Sequence, residues 1–245
     1  MNFPKFYKPK KPYKLYRFGK NNDGGYLVGT KSINKSKFLI SYGISDDWSF
    51  ELDILKKNHN LKVFSFDNTL SIKFLFKLII LNFLRIFYFK SNLRILFSSI
   101  YKFFNFIIIK KRINFKKKSI KYNDTIKITK KLTDIIFKID IEGSEYRILD
   151  DLIKIKKKIN AVIIEFHDID LHHKKIQNFI RAIGLKLTHI HPNNYSLPDK
   201  HGNPTAVEIT LERFTDELSG KLKLPNKSDM KCDPNNIDYI LKFNN

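Results

Sequence analysis

Apolar residues recur along this chain in two rhythms, and the changes between them mark its elements. Short β-branched and aromatic runs at residues 38–43, 61–67, 135–140 and 161–166 read as strands buried on both faces. Between them the period lengthens. Residues 48–57 carry Phe50, Leu52, Ile54 and Leu55 on one broad face, and Tyr146, Leu149, Leu152 and Ile153 recur at three- and four-residue steps, so both stretches read as helices. Residues 176–183 form another helix, closed by Gly184 as a C-cap. Residues 185–191 and 206–213 read as a final strand pair across the loop 192–205, and residues 119–130 as a further strand with a turn at Asn123-Asp124. Strands that alternate with helices before an adjacent closing pair predict an α/β fold with a mostly parallel sheet.

Residues 70–118 break this rhythm. The apolar run 74–89 is interrupted by Lys77, Asn82 and Arg85, and 93–109 is a second, apolar-basic run, so neither gives the ~18 or more uninterrupted apolar residues of a spanning helix. Lys73, Lys77, Leu81 and Arg85 fall four apart, a narrow basic stripe on a wide apolar helix. The pattern fits a helical hairpin packed over the sheet, preferred for the breadth of the apolar face, or a helix in a membrane interface. Residues 112–118 read as a basic loop. The division expected is a basic extended arm at 1–16, a catalytic domain at 17–214 holding 70–118 as an insertion, and a polar tail at 215–245.

Composition changes this picture in two places. The formal net charge of +22 points to an anionic partner. Yet lysine far outnumbers arginine, whose bidentate fork serves base readout, so a dedicated nucleic-acid surface is not expected. Peripheral membrane contact through 70–118 stays open. One cysteine, Cys232, rules out an internal disulfide and a cysteine-based zinc cluster. The Pro-punctuated opening has no apolar signal core, and a cytoplasmic setting is expected.

Candidate chemistry gathers at the strand ends. Gly43 and Ser45 follow the first strand, and Asp67 ends the second, 24 residues after Gly43 and near the ~20-residue spacing of a ribose-binding acid. Asp140, Glu142 and Glu145 follow the third strand, Glu165 and His167 the fourth, and His189 and His191 the next. In a parallel sheet these ends share one edge, where open α/β sheets bind ligands. Asn22-Asp23-Gly24-Gly25 is a tight turn or a loop against a ligand. Asp140, Glu165 and His167 are metal-ligand types, but they lack a fixed-spacing motif and no metal is assigned.

Lys138-Ile139-Asp140-Ile141-Glu142-Gly143-Ser144-Glu145, followed by Leu149, resembles the signature of the FkbM-type S-adenosylmethionine-dependent methyltransferases. Asn22-Asp23-Gly24-Gly25-Tyr26, the stretch 41–51, and Phe66-Asp67 resemble a branch with an N-terminal Asp-Gly-Gly-Tyr motif. Glu165-Phe166-His167-Asp168 and His191-x-Asn193-Asn194 are similar to it as well. The resemblance spans roughly 17–69 and 132–213 and leaves 70–118 outside. It implies a Rossmann-like class I methyltransferase sheet with a closing antiparallel strand. It also implies S-adenosylmethionine as cofactor, at Tyr42, Gly43, Ile44, Ser45, Asp67, Asp140 and Glu142. The reaction implied is O-methylation of a sugar or glycan-linked hydroxyl. For such a hydroxyl His167 is the first candidate as general base, with Asp140 and Glu165 beside it. Tyr-Gly-Ile-Ser stands where the family has a glycine-richer loop. The competing expectation is a basic nucleic-acid- or membrane-binding module on a catalytically decayed methyltransferase fold.

Overall fold

The structure is a computed structural model that describes residues 2–88 and 92–243. In chain order its strands and α-helices are β1 (Asn2–Phe3), β2 (Tyr16–Phe18), β3 (Tyr26–Val28), α1 (Thr30–Asn34), β4 (Phe38–Tyr42), α2 (Ser49–Lys57), β5 (Lys62–Asp67), α3 (Ile72–Phe87), α4 (Leu93–Ile109), β6 (Lys116–Lys117), α5 (Asp124–Ile128), β7 (Ile135–Ile139), α6 (Leu149–Lys154), β8 (Ile159–Phe166), α7 (Ile169–Ile183), β9 (Lys186–Pro192), β10 (Val207–Glu212) and β11 (Lys242–Phe243). Seven of the strands form one sheet in the order β6-β5-β4-β7-β8-β10-β9. Strands β4 to β8 pair in parallel, and β10 runs antiparallel between β8 and β9. This is the mostly parallel, Rossmann-like α/β sheet with a closing antiparallel strand that the alternation predicts.

Alternation along the strands divides the core in two. Ile40, Tyr42, Phe137, Ile139, Val162 and Ile164 point to the face covered by α6 and α7. Leu39, Val63, Ile136, Ala161 and Ile163 point to the face covered by α1 and α2. On the second face the same period turns polar toward the ends of the strands. Ser41, Lys138, Glu165, Glu208 and His191 are all buried there.

The third sheet strand lies where the sequence pattern reads a basic loop. β6 is two exposed lysines beside Phe66 and Asp67, too short to show a period. The strand expected at 119–130 is instead α5, entered through a left-handed Asn123 (φ 65°). The buried hydroxyl of Thr129 bonds back to the carbonyl of Thr125 (2.7 Å), which helical backbone permits and a strand does not. The arm and tail meet. β1 pairs with β11, Tyr13 bridges to Glu217, and the arm plants Phe3 and Tyr7 in the main core.

Helices α3 and α4 form the expected hairpin, but only its base packs on the domain. Leu75, Phe106 and Ile109 enter the second core, with Trp48 against Phe106 at 5.3 Å between ring centroids. The contacts Asn82 to Ser99 and Phe76 to Phe103 show that the two helices run antiparallel. Beyond that seam α3 exposes Ile72, Phe76, Ile80, Phe83 and Phe87 in a row, with Phe74, Leu81 and Leu84 outside it, and α4 exposes Leu93, Phe97, Tyr101, Phe104 and Ile108 in a row, with Ile95 and Ile107 outside it. Both rows follow the same i, i+4, i+8, i+11, i+15 step, which is one stripe along a helix.

Candidate active site

The order of the sheet reverses between β4 and β7, and their carboxyl ends form the switch point where open α/β sheets bind ligands. The two chains cross closely there. Gly43 has φ +73°, and a Cβ on it would fall 1.6 Å from the carbonyl oxygen of Asp140. Only glycine fits. Ser45, Glu142 and Asp168 hold left-handed backbone (φ 46°, 50° and 49°) just beyond β4, β7 and β8. Strain of this kind persists where surrounding contacts enforce it, and functional sites are where it gathers.

A cleft of about 390 Å³ opens on one side of this crossing, lined by Gly43, Ser45, Asp67, Lys118, Ile120 and Asp140 among others. A smaller pocket of about 110 Å³ lies on the other side, against Asp23, Gly24, Glu51 and Lys138. Gly43, Ser45 and Asp140 border both. The Asn-Asp-Gly-Gly stretch forms the expected turn, between β2 and β3, and its Asp23 and Gly24 wall the smaller pocket.

Asp67 is buried at the floor of the cleft. Its Oδ1 accepts from Thr69 N (2.6 Å), Thr69 Oγ1 (2.6 Å) and Leu70 N (2.8 Å), and its Oδ2 accepts from Ser45 N (2.9 Å). Burial would raise this carboxyl, but those donors outweigh it and hold the pKa below the ordinary carboxylate range. Asp67 is therefore a fixed anion, and one acceptor position on Oδ2 is left for a ligand hydroxyl.

Lys138 carries no assigned role in the sequence reading, yet it ties the site together. Its Nζ donates to Gly43 O (2.6 Å) and lies 3.2 Å from Asp140 Oδ2, which also accepts from Tyr26 OH (3.3 Å). Burial alone would lower the ammonium, but Asp140, Glu51 and Glu165 outweigh that and hold its pKa above the usual lysine value. A lysine inside a β-branched run was the signal available. Its register partner on β4 is Ser41, whose hydroxyl donates to the buried Glu51 Oε1 (2.5 Å).

Glu142 and Glu145 part company. β7 ends at Ile139, and Glu142 stands with Asp140 at the rim of the cleft, its side chain 87% exposed. Glu145 is fully buried. Its Oε1 accepts from Ile141 N (3.0 Å) and Gly143 N (3.2 Å), bracing the loop after β7, and lies 3.1 Å from His167 Nδ1. His167 Nε2 sits 3.4 Å from Glu142 Oε2 and 3.8 Å from Glu165 Oε1. Burial alone would lower this imidazole, but the Glu145 contact and the charges of Glu165, Glu145 and Asp140 push it up to about 9. That direction favours the imidazolium, which has no free lone pair, over the general base expected there. Burial, with Asp140 and Glu208 close by, raises the Glu165 carboxyl well above the carboxylate range, and Asn193 Nδ2 donates to it (2.6 Å).

Tyr42 points away from the cleft into the core, its hydroxyl 3.3 Å from Thr125 Oγ1. Ile44 is buried under the loop and borders the smaller pocket. His189 and His191 lie behind the site, where His189 Nε2 meets Asp229 Oδ1 (2.8 Å) and His191 Nε2 lies 3.6 Å from Asp238 Oδ2, fastening the tail, while His191 Nδ1 meets Glu208 Oε2 (3.3 Å) across β9 and β10. Among the described residues, three groups bring ligand-type atoms within 4.8 Å of one another: Asp140 with Glu142 and His167, Asp23 with Glu165 and Glu208, and His191 with Glu208 and Cys232.

No protein-family model matches the chain, and no curated protein matches it either. Solved structures do align with it. A fibrillarin pre-rRNA processing protein of Methanococcus jannaschii aligns at 11% identity over 74% of this chain and 68% of its own, with a TM-score of 0.40. A precorrin-6y C5,15-methyltransferase of Geobacter metallireducens aligns at 10% identity over 75% of this chain and 84% of its own, again with a TM-score of 0.40. Likeness this remote has no bearing on which reaction the chain performs.

Proposed function

We propose that this chain is an S-adenosylmethionine-dependent methyltransferase of the FkbM type, acting on a sugar or glycan-linked hydroxyl. The observation that carries the proposal is the placement of Gly43, Ser45, Asp67 and Asp140 around one cleft at the switch point of the sheet. Its volume of about 390 Å³ lies within the range of about 300–1,000 Å³ for small-molecule sites.

The residues suit the cofactor. Asp67, held ionised with one acceptor position left, fits a ribose hydroxyl, and Ile120 supplies an apolar wall for a base. The acids of the smaller pocket, Asp23 and Asp140, suit the cationic methionine end. S-adenosylmethionine supplies an electrophilic methyl group on a sulfonium. What the chain must add is a held acceptor and a place for its proton. Asp140 fits the second task, because it borders both pockets and only its Oδ2 is engaged, by Lys138 and Tyr26. His167 lies between Glu142 and Glu145, and as an imidazolium it balances their charge on the acceptor side. A phosphate-binding module on the same fold is disfavoured, since these carboxylates would repel the phosphates.

Asp140→Asn keeps the shape of the side chain and removes its basicity. Turnover on a hydroxyl acceptor should fall about 10²-fold or more, in the range ascribed to general bases. The cofactor affinity, read by calorimetry, should stay within a few-fold of the parent's. Unchanged turnover would remove Asp140 from the chemistry. A proportional loss of affinity would make it a cofactor ligand only.

A further inference from the structure

The hairpin of α3 and α4 carries an apolar face that no other described part of the chain covers. Its two stripes end beside each other at the tip, where Phe87 and Leu93 are 67% and 61% exposed. At about 100° per residue the α3 stripe lies about a third of a turn from Leu75 and Asn82, and the α4 stripe nearly half a turn from Ser99 and Phe106. Both helices thus turn apolar side chains outward from the seam along their whole length. Monomeric soluble proteins rarely leave an apolar patch of more than a few hundred Å² uncovered.

Charge selects the occupant. Residues 70–118 contain twelve lysines and arginines and no aspartate or glutamate. Lys73, Lys77 and Arg94 are exposed and project just beside the stripes, on the side away from the seam. A protein partner's buried core is depleted of lysine. An apolar surface whose only charged neighbours are cations is instead the arrangement of helices lying in an anionic lipid interface, with the long basic side chains reaching to the headgroups. Among the described residues no helix is long and apolar enough to cross a membrane. At about 1.5 Å per residue the two helices are shorter than the roughly 30 Å hydrocarbon core.

We propose that this hairpin docks on an anionic phospholipid surface, its exposed apolar side chains in the acyl boundary and its basic side chains at the phosphates. Its base is fixed to the loop after β4, where Lys102 pairs with Asp46 and Trp48 Nε1 donates to Asn105 Oδ1 (2.7 Å). Docking therefore sets the cleft beside the lipid. The proposal rests on the hairpin alone and is independent of the methyltransferase reading.

The full chain should co-float with vesicles of phosphatidylcholine and phosphatidylglycerol, and less with phosphatidylcholine alone. The double variant Phe83→Glu and Phe97→Glu alters two exposed stripe residues and should stay unbound, with an unchanged unfolding midpoint. Parent protein that remains unbound with both vesicle types would overturn the proposal, and so would a variant that floats like the parent. Light scattering showing a dimer that the variant dissolves, or RNA capture in place of flotation, would assign the face to another occupant. Cofactor binding, followed in the same samples by thermal shift, reads the methyltransferase assignment separately.

Discussion

Glu212 shows how far burial alone can move a group in this protein. It lies on β10, accepts from Gly29 N (3.1 Å) and Thr188 Oγ1 (2.9 Å), and is almost wholly buried. Burial pushes its carboxyl up to about 7, with those hydrogen bonds opposing. The folded state therefore holds a proton that the unfolded chain releases near the ordinary value of 4.5. Its contribution to stability is complete below that value and is lost as the pH rises through about 7. At about 1.4 kcal/mol per pH unit the loss is roughly 3 kcal/mol. Glu212→Gln should flatten the fall in urea-unfolding free energy between pH ~5 and ~8 by about that amount. Parallel curves for parent and variant would show that Glu212 titrates normally.

The crossing of the loops after β4 and β7 is the element on which the site depends. Gly43 donates its N–H to Phe66 O (2.9 Å), Asp140 N donates to Tyr42 O (3.0 Å), and Lys138 clamps the Gly43 carbonyl. Gly43→Ala forces a methyl group into the Asp140 carbonyl at a positive φ. It should cost more than about 1 kcal/mol in denaturant unfolding. A neutral or stabilising effect would mean that the two loops separate freely. The sequence shows these elements because both strands are buried on both faces and end at a glycine or an acid. It hides β6, since two exposed lysines on an edge carry no period, and α5, whose buried threonines imitate a strand. Lys138 is visible as an anomaly in an apolar run with Asp140 two residues on, but Gly43 and Glu51 reach it from the loop after β4 and from α2, and only the fold brings those together. The tuning of His167 is hidden for the same reason, because Glu142, Glu145 and Glu165 reach it from two separate strand ends.

Over the whole molecule, charge is sorted by place. The acids Asp67, Asp140, Glu142, Glu145 and Glu165 collect at the carboxyl edge of the sheet, while the stretch 70–118 has none. A large net positive charge thus coexists with an acidic cleft, which suits a cationic cofactor and leaves the hairpin to meet anions. The tail closes the back of the site through Asn194, which donates to Asp233 O (2.9 Å), and Cys232, whose carbonyl accepts from Asp23 N (3.3 Å). The cleft, its acids and its glycine crossing support the proposed binding of S-adenosylmethionine at the junction of β4 and β7. Thermal unfolding with and without the cofactor tests it most directly. Ligand at about 100 times its dissociation constant adds about 2.7 kcal/mol, a shift on the order of 5–10 °C for a chain of this length. The parent should show this shift with S-adenosylmethionine or its demethylated product, and Asp67→Ala should lose it. No shift at millimolar ligand, or an equal shift in the Asp67 variant, would contradict the account.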